Sequence, residues 1–190
     1  MSALLRLSRL IDALNTRVGH LVYWAVLIAV LVSAGNAVVR KAFNISSNAW
    51  LEAQWYLFSL VFLFGAGYTL LRGEHIKIDI VYGHLSRRTQ IWIEILGTIF
   101  FLLPASIIIM RLSWPVFLES YRINEQSMNA GGLPIWPARL LVPLGFLLLI
   151  LQGLSELVKR IAVLTGHVRE EEVIVQAEPE IDTSIVQVKE

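Results

Sequence analysis

Leu57-Phe58-Ser59-Leu60-Val61-Phe62-Leu63-Phe64-Gly65-Ala66-Gly67-Tyr68-Thr69-Leu70-Leu71 is an apolar run that ends in the polar turn Arg72-Gly73-Glu74-His75, followed by Ile76-Lys77-Ile78-Asp79-Ile80-Val81-Tyr82. Extended back to Trp50, the run reaches the length that decides the fold. A hydrocarbon core about 30 Å thick needs about 20 helical residues, and residues 50–71 supply them with one charge, Glu52, at the edge. The polar turn marks where the chain leaves the lipid.

Composition agrees with this reading. With 56% hydrophobic residues, a mean hydropathy of +0.64 and 16% charged residues, the chain carries more apolar surface than a soluble domain of 190 residues can bury. The reading is an all-α integral membrane protein. A net charge of +1 gives no footing for nucleic acid, and the adjacent pair Arg87-Arg88 sits beside a span, where membrane topology accounts for it. Zero cysteines exclude a disulfide framework and thiol redox chemistry.

Working outward, three further spans appear. The first covers residues 19–39, the third 91–110 and the fourth 138–158, the last opened by Trp136-Pro137 as a helix start with proline in its first turn. The apolar region of the first span is too long for a signal peptide and has no convincing Ala-x-Ala site after it, so it is expected to stay uncleaved. Before it, Leu4, Leu7, Ile11 and Leu14 recur at helical spacing among Arg6, Arg9, Asp12 and Arg17, which predicts a short interfacial helix over residues 1–18. Pro104 removes a backbone donor and frees the Phe100 carbonyl, so a kink is expected in the third span.

Beyond that span, Trp114, Phe117, Leu118 and Tyr121 form a stripe that either lies in the interface or continues the helix past Pro115. The stretch Asn124 to Pro134, with Gly131-Gly132, is loop chemistry. It lacks the Lys-Ser/Thr pair and preceding strand of a phosphate-cradling loop. Asn44-Ile45-Ser46 is formally a glycosylation sequon, in a loop too short to be an acceptor. Residues 161–190 read as an acidic, solvated cytoplasmic tail, with seven acids against two bases from Arg169 on.

With the N-terminus cytoplasmic, the inside segments hold Arg6, Arg9, Arg17, Arg72, Lys77, Arg87, Arg88, Lys159 and Arg160; the outside ones hold Arg40, Lys41, Arg111, Arg122 and Arg139. Nine against five places both termini inside. Ion or proton transport by a chain working alone needs ligands or broken helices near the midplane, and here the middles of the spans are apolar. Glu52, Glu94 and Glu156 lie near span ends, where they are expected to reach the interface.

Histidine gives no cofactor site. His20 stands alone at a span edge, while His75, His84 and His167 lie in predicted loops, so haem ligation is not supported. His75 and Asp79 are helically spaced, with Glu74 and His84 nearby, but the alternation of Ile76, Ile78 and Ile80 argues as much for an extended segment. No metal and no cofactor are assigned, and the segment reads as interfacial polar groups or a docking site for a partner chain. The remaining alternative is a stand-alone four-helix redox protein or scaffold.

The second span ending in Arg72-Gly73-Glu74-His75, followed by an apolar residue, Lys77 and Asp79, resembles the small permease subunit of tripartite ATP-independent periplasmic (TRAP) transporters. The segment Gly132-Leu133-Pro134-Ile135-Trp136-Pro137, running into Leu141 to Phe146 and Gln152-Gly153, is similar to that family's fourth-helix region. The resemblance covers about residues 15–165. It implies a multi-pass protein of the bacterial inner membrane that supports a large permease membrane subunit and an extracytoplasmic, periplasmic solute-binding protein. It also implies ion-gradient-driven uptake, commonly of organic acids, and no enzymatic activity. On that footing Arg72, Gly73, Glu74, His75 and Asp79 are candidates for the subunit interface. Trp114, Tyr121, Gly131, Gly132 and Trp136 are candidates for docking the binding protein.

Overall fold

The computed structural model describes residues 2–45, 47–73 and 85–168, and all its regular elements are helical. Helix α1 is Ser2–Phe43, α2 is Asn48–Arg72, α3 is Arg87–Arg122 and α4 is Trp136–Leu164. Each is long and apolar enough to cross a membrane. At 1.5 Å per residue the 42 residues of α1 reach about 63 Å and the 29 of α4 about 44 Å, both beyond the hydrocarbon thickness.

Helix α4 packs against the other three, α1 also packs on α2, and α2 and α3 flank α4 without a substantial interface of their own. The N-terminal half of α1 lies beside the C-terminal half of α4, where Ser8 Oγ is 2.6 Å from Ser155 Oγ. At the opposite end the start of α2 meets the α3–α4 loop, with Asn48 Nδ2 donating to the Ala130 carbonyl at 3.0 Å. Four alternating crossings therefore bring both described chain ends to one end of the bundle.

Polar and small residues share the interior with Val22, Leu71, Ile91, Ile95 and Ile150, while many large apolar side chains face outward. Ser8, Asp12, Asn15, Gln152, Ser155, Glu156 and Lys159 are buried, whereas Leu10, Trp24, Leu31, Phe62, Phe101 and Leu112 are exposed. In lipid, helices gain little by hiding leucine from one another, so close packing and hydrogen bonds between helices hold them together. Glycines set the approach. A Cβ on Gly145 would lie 2.7 to 3.1 Å from Leu63 of α2, its backbone included, and one on Gly19 would enter the Tyr68 ring at 2.5 Å.

Two expectations change. Residues 2–18 are not a separate interfacial helix; they are the first turns of an unbroken α1. Ser8, Asp12 and Asn15 at i, i+4 and i+7 bind these turns to α4, and Leu4, Leu7, Leu10 and Leu14 point away. The fourth helix likewise extends past residue 160, through Leu164. The stripe beyond Met110 continues α3 through Pro115 to Arg122. Pro104 follows a π-helical turn, Thr98–Leu102, in which the Leu103 amide bonds the Thr98 carbonyl five residues back. The register shift lies where the proline interrupts the normal ladder.

Candidate functional site

At the end of the bundle where the start of α1 meets the end of α4, α2 stops at the motif read from the sequence. Gly73 takes the left-handed conformation, φ +66°, and its amide bonds the Leu70 carbonyl at 3.1 Å, so it is the helix-ending glycine. Arg72, one residue earlier, folds back. Its Nε and Nη2 donate to Tyr68 Oη at 2.9 and 2.7 Å, and the Tyr68 ring rests on Gly19 of α1. The start of the motif is thereby tied to the α1–α2 packing. Glu74, His75 and Asp79, with the whole 74–84 segment, lie outside the described residues.

Beside it runs a buried polar chain. Asn15 Nδ2 donates to Gln152 Oε1 at 2.9 Å; Gln152 Nε2 donates to Asp12 Oδ1 at 2.9 Å and to Glu156 Oε1 at 3.2 Å. Ser155 Oγ also reaches Asp12 Oδ1, at 2.7 Å. Lys159 Nζ sits between Asp12 Oδ2, at 3.2 Å, and Glu156. Arg160 pairs with Glu94 of α3 and approaches Glu156 at 3.7 Å. On α4, residues 152, 155, 156 and 159 share one face by helical spacing, matching the polar face of α1.

Glu94 and Glu156 thus turn inward to partners rather than outward to the interface. Sequence reasoning placed both near span ends and missed these pairings. The available signal was the match between polar stripes on the first and last helices. A cavity of about 520 Å³ opens between α2, α3 and α4, with Gly73, Glu94, Glu156 and Arg160 at its polar end and Leu70, Phe101 and Leu149 along its apolar wall.

At the other end the Glu52 carboxylate anchors the α3–α4 loop to α2. Glu52, in the first turns of α2, is only 3% exposed. It accepts from Ser127 Oγ, from Asn129 Nδ2 at 2.9 Å and from the Leu133 amide at 2.6 Å. The loop closes on itself like a hairpin: the Ser127 amide bonds the Leu133 carbonyl at 3.1 Å, and the Ile135 amide bonds the Glu125 carbonyl at 2.9 Å. Tyr56 Oη donates to the Pro134 carbonyl at 2.7 Å, and Arg139 grips both Glu125 oxygens at 2.7 Å.

Gly131 takes φ +70°. A Cβ on Gly132 would come within 2.6 to 2.8 Å of Ser127 and Glu52 Oε1. The loop therefore needs both glycines, one for conformation and one for space.

The aromatic candidates come together beside this loop. Trp114 and Phe117 lie 5.7 Å apart between ring centres, Phe117 and Tyr121 6.1 Å, and Tyr121 meets Trp136 edge-on at 5.4 Å. Trp114 and Tyr121 remain exposed, and Met128 stands fully exposed on the loop. The arrangement is a partly apolar platform at the facing ends of α3 and α4, beside a loop anchored at both sides. Glu52, expected at the interface as an edge charge, instead holds the α3–α4 loop. No cluster of three potential metal ligands occurs among the described residues.

Compared with known proteins, residues 29–163 match the family described as "Tripartite ATP-independent periplasmic transporters, DctQ component". No curated protein and no solved structure gives a significant match. The matched region runs from the middle of α1 to the last turn of α4, so it spans both the Arg72-Gly73 end and the Glu52-anchored loop.

Proposed function

Since the chain belongs to the DctQ-component family of tripartite ATP-independent periplasmic transporters, we propose that it is a non-catalytic bracing subunit: it holds a large permease subunit in the membrane and offers its loop end to a solute-binding protein. The match over residues 29–163 is the observation that carries this reading. The bundle supports it in two ways. Its interior polar groups hold α1 to α4, and every helix turns large apolar side chains outward, a surface suited to lipid and to a larger membrane chain.

In this reading both termini are cytoplasmic in a bacterial inner membrane, following the excess of basic residues at that end. Arg72, Gly73, Glu74, His75 and Asp79 then mark the cytoplasmic contact with the large subunit. The platform of Trp114, Tyr121 and Trp136, with the Gly131-Gly132 loop, faces the periplasm and receives the binding protein. Uptake is driven by an ion gradient acting on the large subunit, with organic acids as the substrate class.

The test compares Glu74→Ala and Asp79→Ala with Glu178→Ala in the tail, reading recovery of the large subunit on a tagged chain and solute uptake in cells. Both motif variants are expected to lose assembly or uptake while the tail variant keeps both. Full assembly and uptake in both motif variants would remove the interface role.

A further inference from the structure

Because α3 runs on to Arg122, one charge changes its place in the molecule. Arg111 follows the apolar run of the third span in the sequence, yet in the structure it stands about three turns before the end of its helix. The register of α3 against α4 sets its depth. Glu94 pairs with Arg160 at one end and Tyr121 meets Trp136 at the other. At 1.5 Å per residue those levels are about 40 Å apart, with Arg111 about 15 Å from the aromatic one. A hydrocarbon core about 30 Å thick, placed anywhere between them, contains Arg111. It lines a groove of about 380 Å³ with Trp114 of its own helix and with Pro143 and Leu147 from the middle of the fourth span.

The guanidinium has no partner in the chain. Arg111 is exposed, and among the described residues it makes no ion pair or hydrogen bond. Glu119, the nearest acid along α3, is eight residues on, about 12 Å along the axis. Water is also out of easy reach. Side chains on an α-helix lean toward its N-terminus, which for α3 is the Glu94 end, about 25 Å away. Arg111 therefore leans into the core, away from the nearer aromatic level, and the exposed Ile107, Ile108 and Leu112 make its surroundings apolar. Pro115 adds an acceptor at the same place, because it has no N–H for the Arg111 carbonyl four residues back.

We propose that Arg111 is an ionic anchor for a partner's transmembrane helix: a carboxylate carried at mid-depth on that helix enters the groove and takes the guanidinium through both its oxygens. Charges inside a membrane pair with one another, and a planar fork matches a carboxylate. A neighbouring helix is also a source of the donor that Pro115 withholds. A lipid phosphate fits less well, since it stays at the headgroup level from which Arg111 leans away. A second copy of this chain brings no acid to this depth. Among the described residues Asp12, Glu94 and Glu156 belong to the inner network, and Glu52, Glu119 and Glu125 lie at or near the loop end. The inference rests on the subunit reading, since it takes the partner to be the larger membrane chain, and it adds the chemistry of one contact.

The test measures the apparent affinity of the full-length chain for the larger membrane protein that it recovers from native membranes, both in mild detergent. Arg111→Met is expected to weaken binding about 30-fold or more, the loss for stranding one half of a buried charge pair. Arg122→Gln, at the end of α3, is expected to leave binding unchanged. Without its partner, Arg111→Met is expected to melt at or above wild type, because a cation has left an apolar surface; this separates a lost contact from a damaged fold. Arg111→Glu is expected to abolish binding, and binding is expected to return when one carboxylate in a membrane helix of the larger chain is replaced by arginine. Wild-type affinity in Arg111→Met, a lower melting temperature of that variant alone, or a scan with no restoring replacement would overturn the anchor and leave the subunit reading standing. A wild-type chain that recovers no larger membrane protein would overturn both.

Discussion

Lys159→Met probes the buried contact between α1 and α4. Lys159 Nζ lies between Asp12 and Glu156, with side-chain exposures of 6% for the lysine and 12% for Asp12. Removing the cation leaves two buried carboxylates facing each other, and uncompensated buried charge costs about 3–5 kcal/mol. Arg160 still approaches Glu156 at 3.7 Å, while Gln152 and Ser155 still donate to Asp12. Those remaining partners put the expected loss near the lower bound, about 3 kcal/mol. Asp12→Asn in the same chain removes one of the stranded charges and keeps an oxygen for Ser155 and Gln152. The double variant should therefore recover about 2 kcal/mol relative to the sum of the singles. Reversible unfolding in mixed micelles, read by circular dichroism, measures all four corners of the cycle. Single variants within about 0.5 kcal/mol of wild type, with an additive double variant, would refute the latch.

Three further outcomes follow from the packing. Gly67→Ala sets a Cβ 2.5 Å from Asn15 Oδ1 and should destabilise the bundle by about 1–3 kcal/mol; adding Asn15→Ala should return much of that in a melting experiment, and no return would contradict the crossing. Gly132→Ala collides with Ser127 and Glu52, so amide hydrogen exchange at Leu133 should accelerate about tenfold or more, whereas unchanged exchange would show that the loop tolerates the methyl. Tyr56→Phe loses the bond to the Pro134 carbonyl and should loosen the loop by about 1 kcal/mol. Ser59→Ala, whose hydroxyl bonds the Trp55 carbonyl of its own helix, should stay within about 0.5 kcal/mol, and equal effects in the two would argue against the tie.

The four crossings were legible because a bilayer imposes a length on any apolar run, and residues 50–71 met it without help from tertiary structure. The inner latch was harder to read. Asp12, Glu156 and Lys159 sit near span ends, where a charge normally reaches water, and only the pairing of two distant helices shows that they reach each other. The leucines of residues 4–14 drew attention to the wrong face of α1: in lipid the apolar stripe faces out and Ser8, Asp12 and Asn15 face in. The aromatic stripe was visible as a period, but its junction with Trp136 depends on the loop, and the loop depends on Glu52, 75 residues away from Ser127. Arg72 and Gly73 stood out as a motif; their local duties, gripping Tyr68 and ending α2, emerge from the backbone geometry.

The central claim is that this chain works as a subunit. Affinity purification of the tagged protein from native membranes, in several mild detergents and at native expression, followed by identification of what remains bound, tests it most directly. The account predicts a larger multi-span membrane protein in near-equal amount. Recovery of this chain alone under every condition would contradict it.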